Sequence, residues 1–63
     1  MDVLIEDHGT IVLLRPVSPR ATAWLHENLE PGAHFFGGAA CVEPRYVSAI
    51  VDGLKCDGLV VQQ

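Results

Sequence analysis

Short runs of β-branched and aliphatic residues alternate with breaks that contain glycine or proline. The first two runs, Val3–Glu6 and Thr10–Leu14, are separated by Asp7-His8-Gly9. A tight turn with Gly9 at positive φ would join them into a β-hairpin, and Pro16 would end the second strand. The pattern therefore predicts that the chain opens with two antiparallel strands.

Two later segments have apolar residues at helical spacing. Ser18 can cap the first helix, and Pro19 suits its first position. The apolar positions of this helix are Ala21, Trp24, Leu25 and Leu29, and Pro31-Gly32 ends the pattern. The second helix starts at Glu43-Pro44 and ends at Asp57-Gly58, and its apolar face consists of Val47, Ile50, Val51 and Leu54. Both apolar faces, including Trp24, are predicted to pack in the core.

Two further strands complete the prediction. Phe35–Val42 is expected to form the third strand, in which Gly37-Gly38 allows a helix to approach the sheet closely; Leu59–Val61 forms a short last one. The order ββαβαβ predicts an α+β fold, with a small antiparallel sheet of three to four strands and two helices on one face. Residues 1–63 are expected to form a single domain.

The predicted sheet has more apolar positions than two helices can cover. Thr10–Leu14 and Phe35–Val42 are apolar on both alternating faces, whereas a sheet with one solvated face normally alternates with polar residues. One interpretation is that a second copy of the chain or a protein partner covers the other face. The alternative is that glycine and alanine expose little area and the strands twist around a compact core.

Charge and composition exclude several classes of function. The net charge is −4 with a pI near 5.0, which argues against direct nucleic-acid binding because phosphate contacts need clustered cations. An electrostatic partner should instead be a protein with a basic surface. The chain has no apolar run of the roughly 18–20 residues that a membrane span needs and does not start like a signal peptide. We therefore expect a cytoplasmic protein with no membrane contact.

The side chains with nucleophilic or metal-binding chemistry are few and scattered. They are His8, His26, His34, Cys41 and Cys56. No two of them have the spacing of a metal-ligand pair, and in a single strand His34 and Cys41 would lie on opposite faces. The two cysteines are too few for a disulfide scaffold and are expected to be reduced and packed. The sequence predicts no enzyme activity, no cofactor and no metal site.

The charges of the first helix oppose its dipole. Arg20 is in the first turn, whereas Glu27 and Glu30 are at the end, where each misplaced charge costs about 0.3–1 kcal/mol at low salt. If these glutamates converge with the other carboxylates near turns, the domain has a negative face suited to a basic groove. The alternative is an ordinary solvated surface. The candidate partner-binding residues are Glu6, Asp7, Glu27, Glu30 and Glu43.

Several runs of the sequence resemble a family of short bacterial proteins encoded on phages, plasmids and integrated elements. These runs are residues 8–16, 24–28, 36–39, 42–47 and 57–61, which begin with His8-Gly9-Thr10, Trp24-Leu25-His26, Phe36-Gly37-Gly38, Val42-Glu43-Pro44 and Asp57-Gly58-Leu59. The chain is also similar to small anti-CRISPR proteins that act on type I-C interference complexes. That similarity implies a stoichiometric inhibitor that binds the CRISPR effector complex and blocks target-DNA recruitment, but it assigns a role to no residue. The negative face predicted from the charges would act there by DNA mimicry, because closely spaced carboxylates can stand in for phosphates. The alternative function is a homodimeric accessory or antitoxin-like protein of a mobile element, so both a monomer and a homodimer are open.

Overall fold

The structure is a computed structural model that describes residues 1–29 and 33–63. In these ranges the chain forms an α+β fold, as predicted, with two helices and one five-stranded sheet. The elements are β1 (Val3–Asp7), β2 (Val12–Pro16), α1 (Pro19–Asn28), β3 (His34–Phe36), β4 (Ala39–Val42), α2 (Pro44–Cys56) and β5 (Val61–Gln62). Both helices start and end close to the positions that the sequence predicts.

The strand order across the sheet is β3-β4-β2-β1-β5. Neighbouring strands are antiparallel except β1 and β5, which pair in parallel through Val3 and Val61. The α+β prediction is confirmed, but the sheet has five strands instead of three to four, and one of its four strand pairs is parallel where an antiparallel sheet was predicted. The physical reason for the parallel pair is the crossover: α2 carries the chain back along the sheet, so β5 runs in the same direction as β4 and β1.

The predicted third strand is a hairpin. Phe35–Val42 does not continue straight, because Gly37 and Gly38 form a two-residue turn between β3 and β4 with φ of 57° and 85°. Two successive positive φ angles match the twist of the flanking strands and favour glycine at both positions. No atom lies within 4 Å of a Cβ built on either residue. The prediction that this pair admits a helix is therefore wrong, and the glycines serve the turn instead.

The core lies on one face of the sheet, between the strands and both helices. Side chains that alternate toward this face are buried on all three central strands: Val3 and Ile5 of β1, Val12 and Leu14 of β2, and Ala40 and Val42 of β4. The helices and the segment after α2 contribute Ala21, Leu25, Leu54 and Leu59. Within the described residues no side chain that is polar or charged is buried, so this core is held by apolar packing.

Asp2 ties together three parts of the chain that are distant in sequence. Its carboxylate accepts hydrogen bonds from the Ser18 hydroxyl at 2.7 Å and from the Val60 backbone N–H at 2.8 Å. Ser18 Oγ in turn accepts from the Ala21 N–H at 3.1 Å and so caps α1, as predicted. The hydrogen bond from Val60 is the main cause that lowers the pKa of Asp2, followed by Ser18 and, more weakly, by the charge of Arg20. Arg20 lies in the first turn of α1, where the helix dipole disfavours a positive charge. Its attraction to the Asp2 carboxylate offsets part of this electrostatic cost.

The two helices meet where a glycine faces a tryptophan. A Cβ on Gly53 of α2 would lie 3.1 Å and 3.3 Å from two ring atoms of Trp24 of α1, so the indole occupies the space a larger residue would need. The Trp24 Nε1–H also donates a hydrogen bond to the Asp57 carboxylate. The ring is half-buried and packs against the core, in agreement with the sequence prediction. This contact fixes α1 against the end of α2.

Candidate interaction surface

Glu6 lies on the sheet face that points away from the helices, because its neighbour Ile5 points into the core. Glu6 Oε1 is 3.2 Å from Arg15 Nη2, and its Oε2 accepts a longer hydrogen bond of 3.4 Å from Arg15 Nε. The hydrogen bond from Arg15 is the main cause that lowers the pKa of Glu6. Since the two charges cancel, this candidate adds little to a negative surface.

Asp7 is at the end of β1 and stabilises the first turn. Its Oδ1 accepts a hydrogen bond of 2.8 Å from the Gly9 N–H, and Gly9 has a φ of 86°. The predicted turn with Gly9 at positive φ is therefore confirmed. Alternation along β1 directs Asp7 to the opposite side of the sheet from Glu6, so these adjacent candidates cannot belong to one face of the sheet.

Glu43 is the residue before α2. It makes no side-chain hydrogen bond to the helix N-terminus; instead its Oε2 is 3.3 Å from Arg45 Nε. The Arg45 guanidinium also lies 4.8 Å from the centre of the Tyr46 ring. Both members of the ion pair are mostly exposed, and pairs of this kind contribute little stability.

The remaining two candidates are in or after the last turn of α1. Glu27 is exposed on that helix, while Glu30 lies outside the described residues. The structure therefore does not bring the five predicted residues into one patch: Glu6 faces one side of the sheet, Asp7 faces the other, and Glu27 is on a helix surface.

An open groove runs between α2 and the β1–β5 edge of the sheet. It consists of two adjoining depressions of about 540 and 380 Å³ that share Ile5, Pro44, Val47 and Gln63. The further lining residues are Asp7, Val12, Ser48, Val51, Asp52, Lys55 and Val61. The floor is aliphatic, and carboxylates stand in both depressions, Asp7 in the smaller and Asp52 in the larger. We call this the α2 groove.

Asp52 is a candidate that sequence reasoning missed. Ser48, Asp52 and Lys55 follow each other at spacings of four and three residues, which places them along one side of a helix. That side borders the predicted apolar stripe that includes Val47 and Val51. The sequence therefore predicts that these residues share one side of the helix, but it does not predict that the edge of the sheet lies opposite them.

His34 and Cys41 are directly paired across the β3–β4 hairpin. The prediction that they lie on opposite faces is wrong, because the chain reverses between them instead of continuing as one strand. Cys41 is half-buried and Cys56 is exposed, and the two are not bridged, so Cys56 is not the packed thiol that was expected. Among residues 1–29 and 33–63, no three His, Cys, Asp or Glu side chains are grouped so that they could hold a metal ion.

The second face of the sheet is not covered by either helix. Side chains that alternate away from the core form this open sheet face: Leu4, Glu6, Leu13, Arg15, His34, Phe36, Ala39, Cys41 and Gln62. Of these, Ala39 is fully buried. Phe36 is 72% exposed, whereas its neighbour Phe35 stacks on the His26 ring of α1 at a centroid distance of 4.5 Å. The apolar residues that the sequence shows on both sides of the strands thus line the core on one side and a solvent-exposed face on the other.

Acid is expected to destabilise the fold partly through Asp2 and Glu6. The pKa of each is lowered in the folded chain from ordinary values of 3.8 and 4.5, so the unfolded chain binds more protons as the pH falls through this range. Their contribution is complete above about pH 5 and is lost progressively as the pH falls toward their folded pKa values. The free energy of unfolding, measured with urea at pH 6 and at pH 3, should differ less between the two pH values for the double variant Asp2→Asn, Glu6→Gln than for the native chain.

The matched control for this prediction is Glu27→Gln, which removes an exposed carboxylate that makes no hydrogen bond to the described residues. It should keep the acid sensitivity of the native chain. An unchanged pH dependence in the double variant would show that other groups dominate acid unfolding.

Comparisons of the chain with protein-family models, with curated proteins and with solved structures found no match. The resemblance to anti-CRISPR proteins therefore stays a prediction, and the functional argument depends on the surfaces described above. In the part of the chain that the structure describes, no helix has the length and apolar character needed to cross a membrane.

Proposed function

We propose that this chain is a non-enzymatic, stoichiometric inhibitor that binds a basic, DNA-binding surface of a type I CRISPR effector complex and so prevents recruitment of target DNA. The observation that carries the proposal is the α2 groove, which combines an aliphatic floor with a carboxylate in each of its two depressions. Surfaces that bind DNA expose lysine and arginine, and these are the side chains that such a groove accommodates.

The chemistry of the α2 groove matches long cationic side chains. Lysine and arginine bury their methylene stems on apolar surface while the charged head stays in a polar environment. Ile5, Val47 and Val61 supply the apolar surface, and Asp7 and Asp52 supply the negative charge. Lys55 lines the same depression as Asp52 and would disfavour a cation directly beside it, so the Asp7 end is the stronger cation site.

The net charge supports the same class of partner. A chain of charge −4 is attracted to a basic surface over a distance of about 8–10 Å at moderate salt, which raises the rate of encounter. Two of its four basic residues, Arg15 and Arg45, are each paired with a glutamate. The excess negative charge is thus carried by other carboxylates, including Asp7 and Asp52.

The test measures target-duplex binding by a purified type I-C interference complex, with and without excess of the protein, at low and high salt. Loss of DNA binding that high salt restores is the expected result, because the contact is between opposite charges. If DNA stays bound and the protein does not co-migrate with the complex, the proposal is wrong, and a homodimeric accessory protein of a mobile element becomes the better proposal.

Two variants of equal charge change identify the carboxylates involved. Asp7→Asn with Asp52→Asn removes both carboxylates of the α2 groove, and asparagine at position 7 keeps the acceptor for the Gly9 N–H. Glu27→Gln with Glu43→Gln removes two carboxylates outside it. We expect the first pair to weaken inhibition at least tenfold and the second pair to weaken it less. Equal losses would indicate net charge alone, and no loss from either folded variant would exclude an electrostatic contact.

A further inference from the structure

One wall of the α2 groove is a short strand at the edge of the sheet. β5 consists of Val61 and Gln62, which pair with Val3 and Leu4 of β1. Val61 and Gln63 line the larger depression opposite residues of α2, and Gln63 also lines the smaller one. Two residues are fewer than a strand usually has, so the position of this wall depends on what holds the chain next to β5.

The chain reaches β5 from the end of α2, where its path is fixed as far as Leu59. The Gly58 N–H donates to the Lys55 carbonyl at 3.0 Å, and Gly58 has a φ of 82°. The Leu59 N–H donates to the Leu54 carbonyl, also at 3.0 Å, which completes a Schellman motif at the helix end. Leu59 is buried in the core, whereas the next residue, Val60, is 57% exposed. Core packing therefore positions the chain up to Leu59, but it does not position the residue that precedes β5.

The start of β1 binds both polar groups of the Val60 backbone. The Val60 carbonyl accepts hydrogen bonds from the N–H groups of Asp2 at 2.7 Å and Val3 at 3.1 Å. The Val60 N–H donates to Asp2 Oδ2 at 2.8 Å, and hydrogen bonds to an ionised acceptor are the stronger kind. The other oxygen, Asp2 Oδ1, accepts from the Ser18 hydroxyl at 2.7 Å. The carboxylate is thus oriented by the cap of α1 while it holds the residue before β5.

We infer that Asp2 is a positioning residue for the α2 groove, because its carboxylate fixes Val60 and thereby the β5 wall of the groove. Asp2 does not line either depression, so it acts through Val60 and β5 and not by contact with a partner. The effect on β5 is a property of the chain alone. The consequence for binding rests on the proposed function, since a basic side chain of the partner would pack against this wall.

The first test compares Asp2→Ala with Asp2→Asn, two variants that have the same net charge. Asparagine keeps a carbonyl that can accept from the Val60 N–H and an amide that can donate to Ser18 Oγ, whereas alanine keeps neither. The measurement is amide hydrogen exchange of the chain alone, expressed as the rate at Val60 divided by the rate at Leu14 of β2. This ratio should rise by about tenfold or more in Asp2→Ala, which loses a hydrogen bond to a charged group. It should rise only a few-fold in Asp2→Asn, which replaces the charged acceptor with a neutral one.

Ser18→Ala is the control for a general loss of stability. It removes the cap of α1 and the hydrogen bond to Asp2 Oδ1, but it leaves the acceptor of the Val60 N–H in place. The free energy of unfolding should fall and the exchange rate at Leu14 should rise, while the Val60-to-Leu14 ratio should rise less than in Asp2→Ala. A ratio that is unchanged in Asp2→Ala, or that rises equally in Asp2→Asn or Ser18→Ala, would overturn the inference.

The second test connects the position of β5 with binding. Inhibition of target-duplex binding by the type I-C interference complex is measured for both Asp2 variants, as the concentration that gives half inhibition. Asp2→Ala should need a several-fold higher concentration than Asp2→Asn, and because the net charges are equal this difference reports the wall and not long-range attraction. Equal concentrations for two variants that differ in Val60 exchange would contradict the positioning role. If the native chain does not inhibit, the proposed function is wrong, and the exchange ratios alone then decide whether Asp2 fixes the wall.

Discussion

Replacing Leu14 with alanine is expected to remove about half of the folding stability of this chain. Leu14 is fully buried in β2, at the centre of the sheet, and belongs to the core cluster. A Leu→Ala change at such a site costs about 2–5 kcal/mol, through lost apolar burial and the cavity that remains. A chain of 63 residues has a total stability on the order of 3–9 kcal/mol. The free energy of unfolding, measured by urea titration with Trp24 fluorescence, should therefore fall by about 2–5 kcal/mol, which is about half of the total at the middle of both ranges.

Leu13→Ala is the matched control, because it is the same change one residue earlier on the other face of the same strand. Leu13 is half-buried and faces away from the helices, so its truncation leaves no enclosed cavity and should cost clearly less at concentrations where the chain is monomeric. If both variants lose the same stability, the two sheet faces are equally buried and the described one-sided core is wrong.

The second large effect is expected at the β3–β4 turn. With Gly37 at a φ of 57° and Gly38 at 85°, alanine at both positions would force two L-residues into the left-handed region, which costs about 1–2 kcal/mol each. Because no atom approaches a Cβ at either position within 4 Å, the whole penalty comes from the backbone. The double variant should lose about 2–4 kcal/mol, measured by urea unfolding, and proton spectra should show the loss of the ring-current shift that Phe35 imposes on His26.

Gly37→Asn provides the control for this turn. Asparagine tolerates the left-handed region, and Asn-Gly is a preferred pair in two-residue hairpin turns. This variant should keep the native stability within about 0.5 kcal/mol and also keep the His26–Phe35 stack. A large loss in Gly37→Asn together with no loss in the double alanine variant would mean that the turn has another geometry.

The candidate site was less accessible to prediction than the elements that carry it. Glu6 and Asp7 look equivalent in the sequence, yet strand alternation sends them to opposite sides of the sheet, and only Asp7 lines the α2 groove. Glu6 is neutralised by Arg15, nine residues away, through an antiparallel register that charge counting does not contain. Asp52 enters the α2 groove because β1 and β5 happen to lie beneath α2. The sequence states how many charged residues there are, whereas their positions on the surface depend on how the strands pair.

The sequence by itself determined the local structure of this protein. Ser18 and Pro19 start α1, Pro44 starts α2, and Gly9 turns the first hairpin, because capping, a fixed φ and a positive φ act over a few residues. Apolar residues at successive positions of the strands, and so on both faces, also indicated a sheet with more apolar surface than its helices cover.

Only the tertiary structure decided how the strands assemble. A run such as Phe35–Val42 is compatible with a straight strand or with a hairpin, and the choice depends on whether β3 gains hydrogen bonds from β4 and packing from His26. The parallel pairing of β5 with β1 follows from the path of α2 across the sheet. These outcomes are set by contacts between residues distant in sequence, and no local pattern predicts the free energy of such contacts. The same contacts decided which apolar face of the sheet became the core and which became the open sheet face.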